Sequence, residues 1–182
     1  MRQQGFSLIE LLMGLMIVGI VLHLVSPAYA ALTESNRREV AAQSLISGIR
    51  DARTLATSRN QSVVIYAING DWSEGWRIIL DISGKGPNDL SNPVVAEHAN
   101  STGTPIVGNW WIKSYIRFSS LGAPFLGKEA FKAGTLHLCD ARAPTSQLQV
   151  VLAPTGRVSL RSDKAPQALC DKGKKSKQRT NT

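Results

Sequence analysis

Acidic residues are in short supply. The 182-residue chain has 13 Asp and Glu against 21 Lys and Arg, for a net charge of +8 and a pI of about 9.9. Such a balance favours anionic partners, nucleic acid or lipid headgroups, over basic ones. Cysteine is scarcer still, at Cys139 and Cys170. Two thiols cannot complete a four-ligand zinc site, and there is no Cys-x-x-Cys pair. The histidines, His23, His98 and His137, lie far apart, and none belongs to a His-Glu-x-x-His motif. A Walker loop and a Gly-x-Ser-x-Gly elbow are also missing. No constellation argues for catalysis, a cofactor or a metal, so a non-enzyme is expected. At 43% apolar and 19% charged, the chain is nevertheless suited to folding. Its length allows one domain plus an anchor.

What the chain does have is one long apolar run. It opens at Gly5-Phe6-Ser7-Leu8-Ile9-Glu10 and continues to Val25, with Glu10 and His23 as its only ionisable groups. About 20 helical residues at ~1.5 Å each span the ~30 Å hydrocarbon layer of a bilayer. A secretory signal carries its small-residue cleavage site after the apolar core. Here the candidate site, Gly5, comes before it, so cleavage would keep the run in the mature chain. A carboxylate inside a bilayer is costly, and Glu10 therefore calls for a partner or a position near the water.

Beyond the run, Leu32, Val40, Leu45, Ile49, Ala52 and Ala56 recur at roughly helical spacing. They predict an amphipathic continuation, and one helix from Phe6 to about Arg59. Pro27 lies inside it and predicts a kink or local break. From Gln61 the period shifts towards two. Strands are expected at 62–68, 75–80, 94–98, 115–119, 135–139, 147–152 and 157–161, with turns at Asn69-Gly70-Asp71 and Pro154-Thr155-Gly156. Segment 100–109 has no clear pattern, and Trp110-Trp111 reads equally as core or surface. The fold class is α+β, a long N-terminal helix packed on an antiparallel sheet. Residues 171–182 hold Lys172, Lys174, Lys175, Lys177 and Arg179 against Asp171, which is half of the net charge. Their plainest reading is a solvated, disordered tail.

Gly5, Phe6, Leu8, Ile9, Glu10 and Pro27 together resemble the signature of type IV pilins. Arg53, Ala56, Arg59-Asn60, Val63, Gly75-Trp76-Arg77-Ile78, Leu138-Cys139 and Pro154-Thr155-Gly156-Arg157 are similar to the GspH/FimT/FimU group of minor pilins and pseudopilins. The likeness covers most of residues 1–161. It implies a pilin-like fold with a leader (1–5) cut after Gly5 by a prepilin peptidase, and methylation of the new Phe6 amine. It also implies an inner-membrane helix (6–26), an amphipathic half-helix (27–60), a β-rich periplasmic domain (61–170) and the basic tail (171–182). Glu10 would pair with the Phe6 amine of a neighbouring pilin, and Pro27 would let the helix bend during assembly. With the domain outside the cytoplasm, a Cys139–Cys170 disulfide is the natural reading.

The function so implied is that of a minor pilin which assembles into or primes a type IV pilus, near its tip. One alternative is a type II secretion pseudopilin of the same build. Another is a DNA-binding minor pilin for DNA uptake. The group's DNA-binding loop carries Gly-Arg-x-Arg. Here the match is Gly156-Arg157-Val158-Ser159, so the second arginine is missing, with Arg161 two positions later. Side-chain alternation puts Arg157, Ser159 and Arg161 on one face of a strand. Arg157 and Arg161, with Lys172, Lys174 and Lys175 in the tail, are the candidate DNA contacts. The plainer reading leaves both arginines as solvent-facing strand residues.

Overall fold

The computed structural model describes residues 8–126 and 131–171, without the side chains at 24–28. It opens with helix α1, Leu8–Arg59, of 52 residues. The chain divides into two compact units, one up to Asn36 and one from Arg37 onward.

In the first unit, the large apolar side chains from Leu8 to Leu22 are all half or more exposed, from 78% at Leu8 to 50% at Val21. Among the described residues no helix is long and apolar enough to cross a membrane. The span expected at 6–26 takes in Phe6, Ser7 and positions 24–26, whose side chains lie outside the described set. Helix α1 runs through Pro27, so the local break expected there is not seen.

The second unit begins with the rest of α1 and continues into ten strands. These are β1 (Val63–Ala67), β2 (Gly75–Leu80), β3 (Val94–Ala99), β4 (Ile106–Gly108), β5 (Tyr115–Phe118), β6 (Pro124–Phe125), β7 (Gly134–Cys139), β8 (Thr145–Leu152), β9 (Val158–Arg161) and β10 (Ala165–Pro166). All pairings are antiparallel. The strands form two sheets where one was expected. The first has the order β3-β2-β1-β5-β6. The second has the order β10-β8-β7-β4, with β9 also paired to β8. The unpatterned stretch after β3 contains β4, where the chain passes from the first sheet to the second.

The core joins one face of α1 to both sheets. Ala41, Ala42, Leu45, Ile46, Ile49, Ala52 and Ala56 meet Val63, Ile65, Ile78, Phe118, Leu136, Leu138, Val150 and Leu152. Leu32 and Val40, assigned to this stripe from spacing, are exposed instead. The helix register is set by small residues. A Cβ on Gly48 would stand 2.7 Å from the Trp76 ring, so α1 and β2 meet only where no side chain intervenes. Trp72 is buried, and its indole N–H donates to the carbonyls of Ile112 and Lys113 at 3.0 and 3.1 Å. Trp110 is 67% exposed, while Trp111 is half-buried and meets Phe131 edge-on.

The other face of the first sheet is covered by the loop between β2 and β3. Val64 and Ile79 are buried yet lie apart from the main core. Gly86 approaches Val64 and the Arg117 guanidinium from above. Asp81 closes this arrangement. One carboxylate oxygen accepts from the Gly86 N–H at 2.8 Å, and the other faces Arg117 Nε at 3.0 Å. The second contact is an ion pair at close range rather than an aligned hydrogen bond. Asn92 binds the Ile82 and Ser83 N–H groups and the Gly86 carbonyl. Further along the loop, the Ser91 hydroxyl and N–H lower the pKa of Asp89 to about 2.

Candidate functional site

The residues expected to serve assembly, Glu10 and Pro27, belong to helix α1. Glu10 sits in the first turn of α1 and is exposed. It is the only acid among exposed apolar neighbours. Gly5 and Phe6, the expected cleavage and methylation positions, lie outside the described residues.

The candidate anion-binding residues are placed by the β8–β9 hairpin. Its turn closes through Gly156 N–H to Ala153 O and Ala153 N–H to Arg157 O, both at 2.9 Å. Gly156 has φ +79°, a left-handed conformation that disfavours a side chain. Beyond the turn, Val158 is buried and Leu160 packs against the core. Arg157 and Arg161 are exposed, as alternation predicts. Neither makes an ion pair among the described residues. Lys164 follows in the same surface segment and is also exposed. The tail lysines Lys172, Lys174 and Lys175 lie outside the described residues.

Arg53 holds this hairpin in place, a role that spacing did not reveal. From α1 its Nε donates to Gly122 O at 2.9 Å, and its terminal nitrogen donates to Thr155 O at 3.0 Å. One guanidinium thus ties the β5–β6 turn and the β8–β9 turn to the helix. Planar donors suit two carbonyls at once. A Cβ on Gly156 would stand 2.8 Å from Arg53 Nε. The turn that presents Arg157 is therefore fixed from behind.

The two cysteines form a disulfide with Cα atoms 5.6 Å apart. It joins β7 to a final helical turn, 168–171, and both cysteines are buried. The last described segment lies along β8. Ala165 and Pro166 pair with Ser146 and Thr145, and the Gln167 N–H donates to Pro144 O. His137 on β7 lies under it. Burial lowers its pKa. On the neighbouring turn, the Arg142 N–H lowers the pKa of Asp140. His98 stacks on Trp76 at 5.4 Å. No group of three or more metal-ligating side chains occurs among the described residues.

Comparison with known proteins agrees with this geometry. The sequence matches the family described as Type II transport protein GspH over residues 41–156, and the prokaryotic N-terminal methylation motif over residues 1–26. No curated protein matches it. Two crystal structures of the type IV minor pilin FimU from Pseudomonas aeruginosa share the fold. One superposes with a TM-score of 0.59 at 19% identity, covering 75% of this chain and 98% of FimU. The other gives 0.54 at 18% identity, covering 71% and 98%. With its prepilin-type methylation motif, its long helix on antiparallel strands and a match over most of its length, the chain belongs to the GspH family of pilin-like proteins.

Proposed function

We propose that this protein is a minor pilin, anchored in the inner membrane by its N-terminal helix with the β domain periplasmic, which assembles into or primes a type IV pilus. The observation that carries the reading is the helix from Leu8 to Leu22. Its apolar side chains have no cover within the described chain, and they surround the single acid Glu10. Such a surface needs lipid or other apolar helices. Lipid alone gives a carboxylate no partner, whereas the amine of a neighbouring Phe6 does.

Glu10→Val is therefore expected to leave membrane insertion intact. It should lower the amount of this protein in sheared surface pili by at least tenfold, roughly what losing ~1.4 kcal/mol does. Immunoblots of membrane and pilus fractions, in a complemented deletion strain, read both. Normal incorporation would sink the Glu10 argument. Deletion that spares pili but stops protein secretion would point to a pseudopilin instead.

A second reading, DNA binding, is favoured by the exposed Arg157 and Arg161, which make no ion pair among the described residues, on a hairpin whose turn Arg53 bonds. Phosphate contacts of this kind bind without reading sequence and weaken steeply with salt. Arg157→Ala with Arg161→Ala is expected to weaken a low-salt gel shift of duplex DNA about tenfold, and to flatten its salt dependence by ~2 in slope. An unshifted wild-type mixture at low salt would end this reading.

A further inference from the structure

The end of the described chain rests on a relay of neutral hydrogen bonds. Ser146 Oγ lies 3.4 Å from Leu148 O and donates to it. It accepts from Gln149 Nε2 at 3.1 Å. The His137 Nδ1 atom, 3.1 Å away, must then carry a hydrogen and donate to the same oxygen. The neutral ring is left with Nε2 as an acceptor, which faces the Gln167 amide nitrogen at 3.4 Å. Gln167 cannot turn over without loss, because its Oε1 accepts from the Leu169 N–H at 3.3 Å. Gln149 Nε2 also donates to Asp163 O at 2.6 Å. The relay that includes His137 therefore reaches residues 163–169 at two places, Asp163 O and the Gln167 amide.

We propose that residues 163–169 form a pH-sensitive strap, which protonation of His137 releases from β8 while the Cys139–Cys170 disulfide keeps its far end attached. A proton taken from solvent onto Nε2 sets an N–H against the Gln167 NH2 group. The amide then withdraws, or it flips and gives up the Leu169 N–H. Either change loosens a segment whose other ties to β8 and its turn are few: two residues of strand pairing, one of them Pro166, which has no N–H to donate, the Gln167 N–H to Pro144 O, and Gln149 Nε2 to Asp163 O.

Among the described residues no carboxylate forms an ion pair with the ring. β4, which pairs His137 with Val107, brings no charged residue, and β8 brings Ser146 and Gln149. On β7's own far side, Asp140 is engaged by Arg142 N–H and Gln147. The strap carries Asp163, Lys164 and, past its end, Asp171. Burial is the one cause acting on the ring. Since the folded pKa lies below that of the free side chain, stability from this group is full above about pH 6.5 and is lost as pH falls below that value. Leu169 also lines a cavity of about 570 Å³ beside Trp110, so release of the strap would open one wall of it.

The test is hydrogen exchange by mass spectrometry on the full chain in detergent, at pH 7.5 and pH 5.0, corrected for intrinsic rates. Peptides from 163–169 are expected to exchange roughly tenfold faster at the lower pH, because the open strap binds the proton on His137 more tightly than the closed one. Peptides from β1 and β2 should not change. His137→Gln, which cannot titrate, should abolish the difference. Gln167→Glu offers the protonated ring a carboxylate, and should reverse it. Equal corrected rates in the wild type, or a full tenfold change retained in His137→Gln, would overturn the proposal.

Discussion

Asp81→Ala is expected to destabilise the domain by about 3–5 kcal/mol, the range for removing one partner of a buried ion pair. Asp81 is 2% exposed, and its carboxylate faces both the Gly86 N–H and Arg117. Removing it leaves the Arg117 guanidinium, whose side chain is 16% exposed, beside the Phe125 ring with no carboxylate partner among the described residues. The loop that covers Val64 also loses the acceptor for its Gly86 N–H. Chemical denaturation of the detergent-solubilised chain should show the urea midpoint falling by at least about 1 M. Asp81→Asn keeps an acceptor but not the charge, and should fall between. A double Asp81→Leu, Arg117→Leu variant should recover much of the loss, because desolvating two charges was itself costly. A cost below 1 kcal/mol for Asp81→Ala would mean that water reaches Arg117 and that the pair is worth no more than a surface one.

The next largest effect is expected from the disulfide. Its cysteines are 31 residues apart. In the chain-entropy account, closing such a loop restricts the unfolded chain by ~3–4 kcal/mol. A Cys139→Ser, Cys170→Ser variant, or wild type under reductant, should lose about that much in a denaturant titration. The loss should be uneven. Thr145 and Ser146 on β8, paired with β10, should lose exchange protection first. The first sheet, packed on α1 without help from the disulfide, should keep its protection until global unfolding. Simultaneous loss in both sheets would show that the strap and the core open as one unit.

Much of the fold could be read from the chain because its signals are local. Val63–Ala67 and Gly75–Leu80 are apolar enough to be buried on a sheet wherever they fall. Pro154-Thr155-Gly156 dictates a turn through backbone geometry alone. The short strands escaped because nothing local makes them. Ile106–Gly108 is a strand because β7 offers an edge, and Ala165–Pro166 because the disulfide and Gln167 bring it to β8. The helix stripe was misplaced at Leu32 and Val40 because spacing marks apolar positions without saying which face the sheets meet. Ala42 and Gly48 decide that, and small residues carry little hydrophobic signal. The pairing of Cys139 with Cys170 followed from there being only two cysteines and from the expected compartment. Exposure of Arg157 and Arg161 followed from strand alternation. The Arg53 bonds and the His137 relay were invisible, since each joins residues far apart in sequence through polar groups that have no period.

Arg53 also constrains how the family can vary. Its guanidinium lies where a side chain at Gly156 would have to go, and with the Thr57 methyl, 2.8 Å away, it closes the space at Gly122; both glycines have positive φ. Replacing Gly156 first meets the arginine, and replacing Gly122 first meets Thr57 with the arginine behind it. Replacing the arginine first frees space but leaves two carbonyls without their donor and two turns still shaped for glycine. Neither order of change offers an easy intermediate. Positions 53, 122 and 156 should therefore be inherited together, and a relative that has lost one should carry rebuilt turns at the other two.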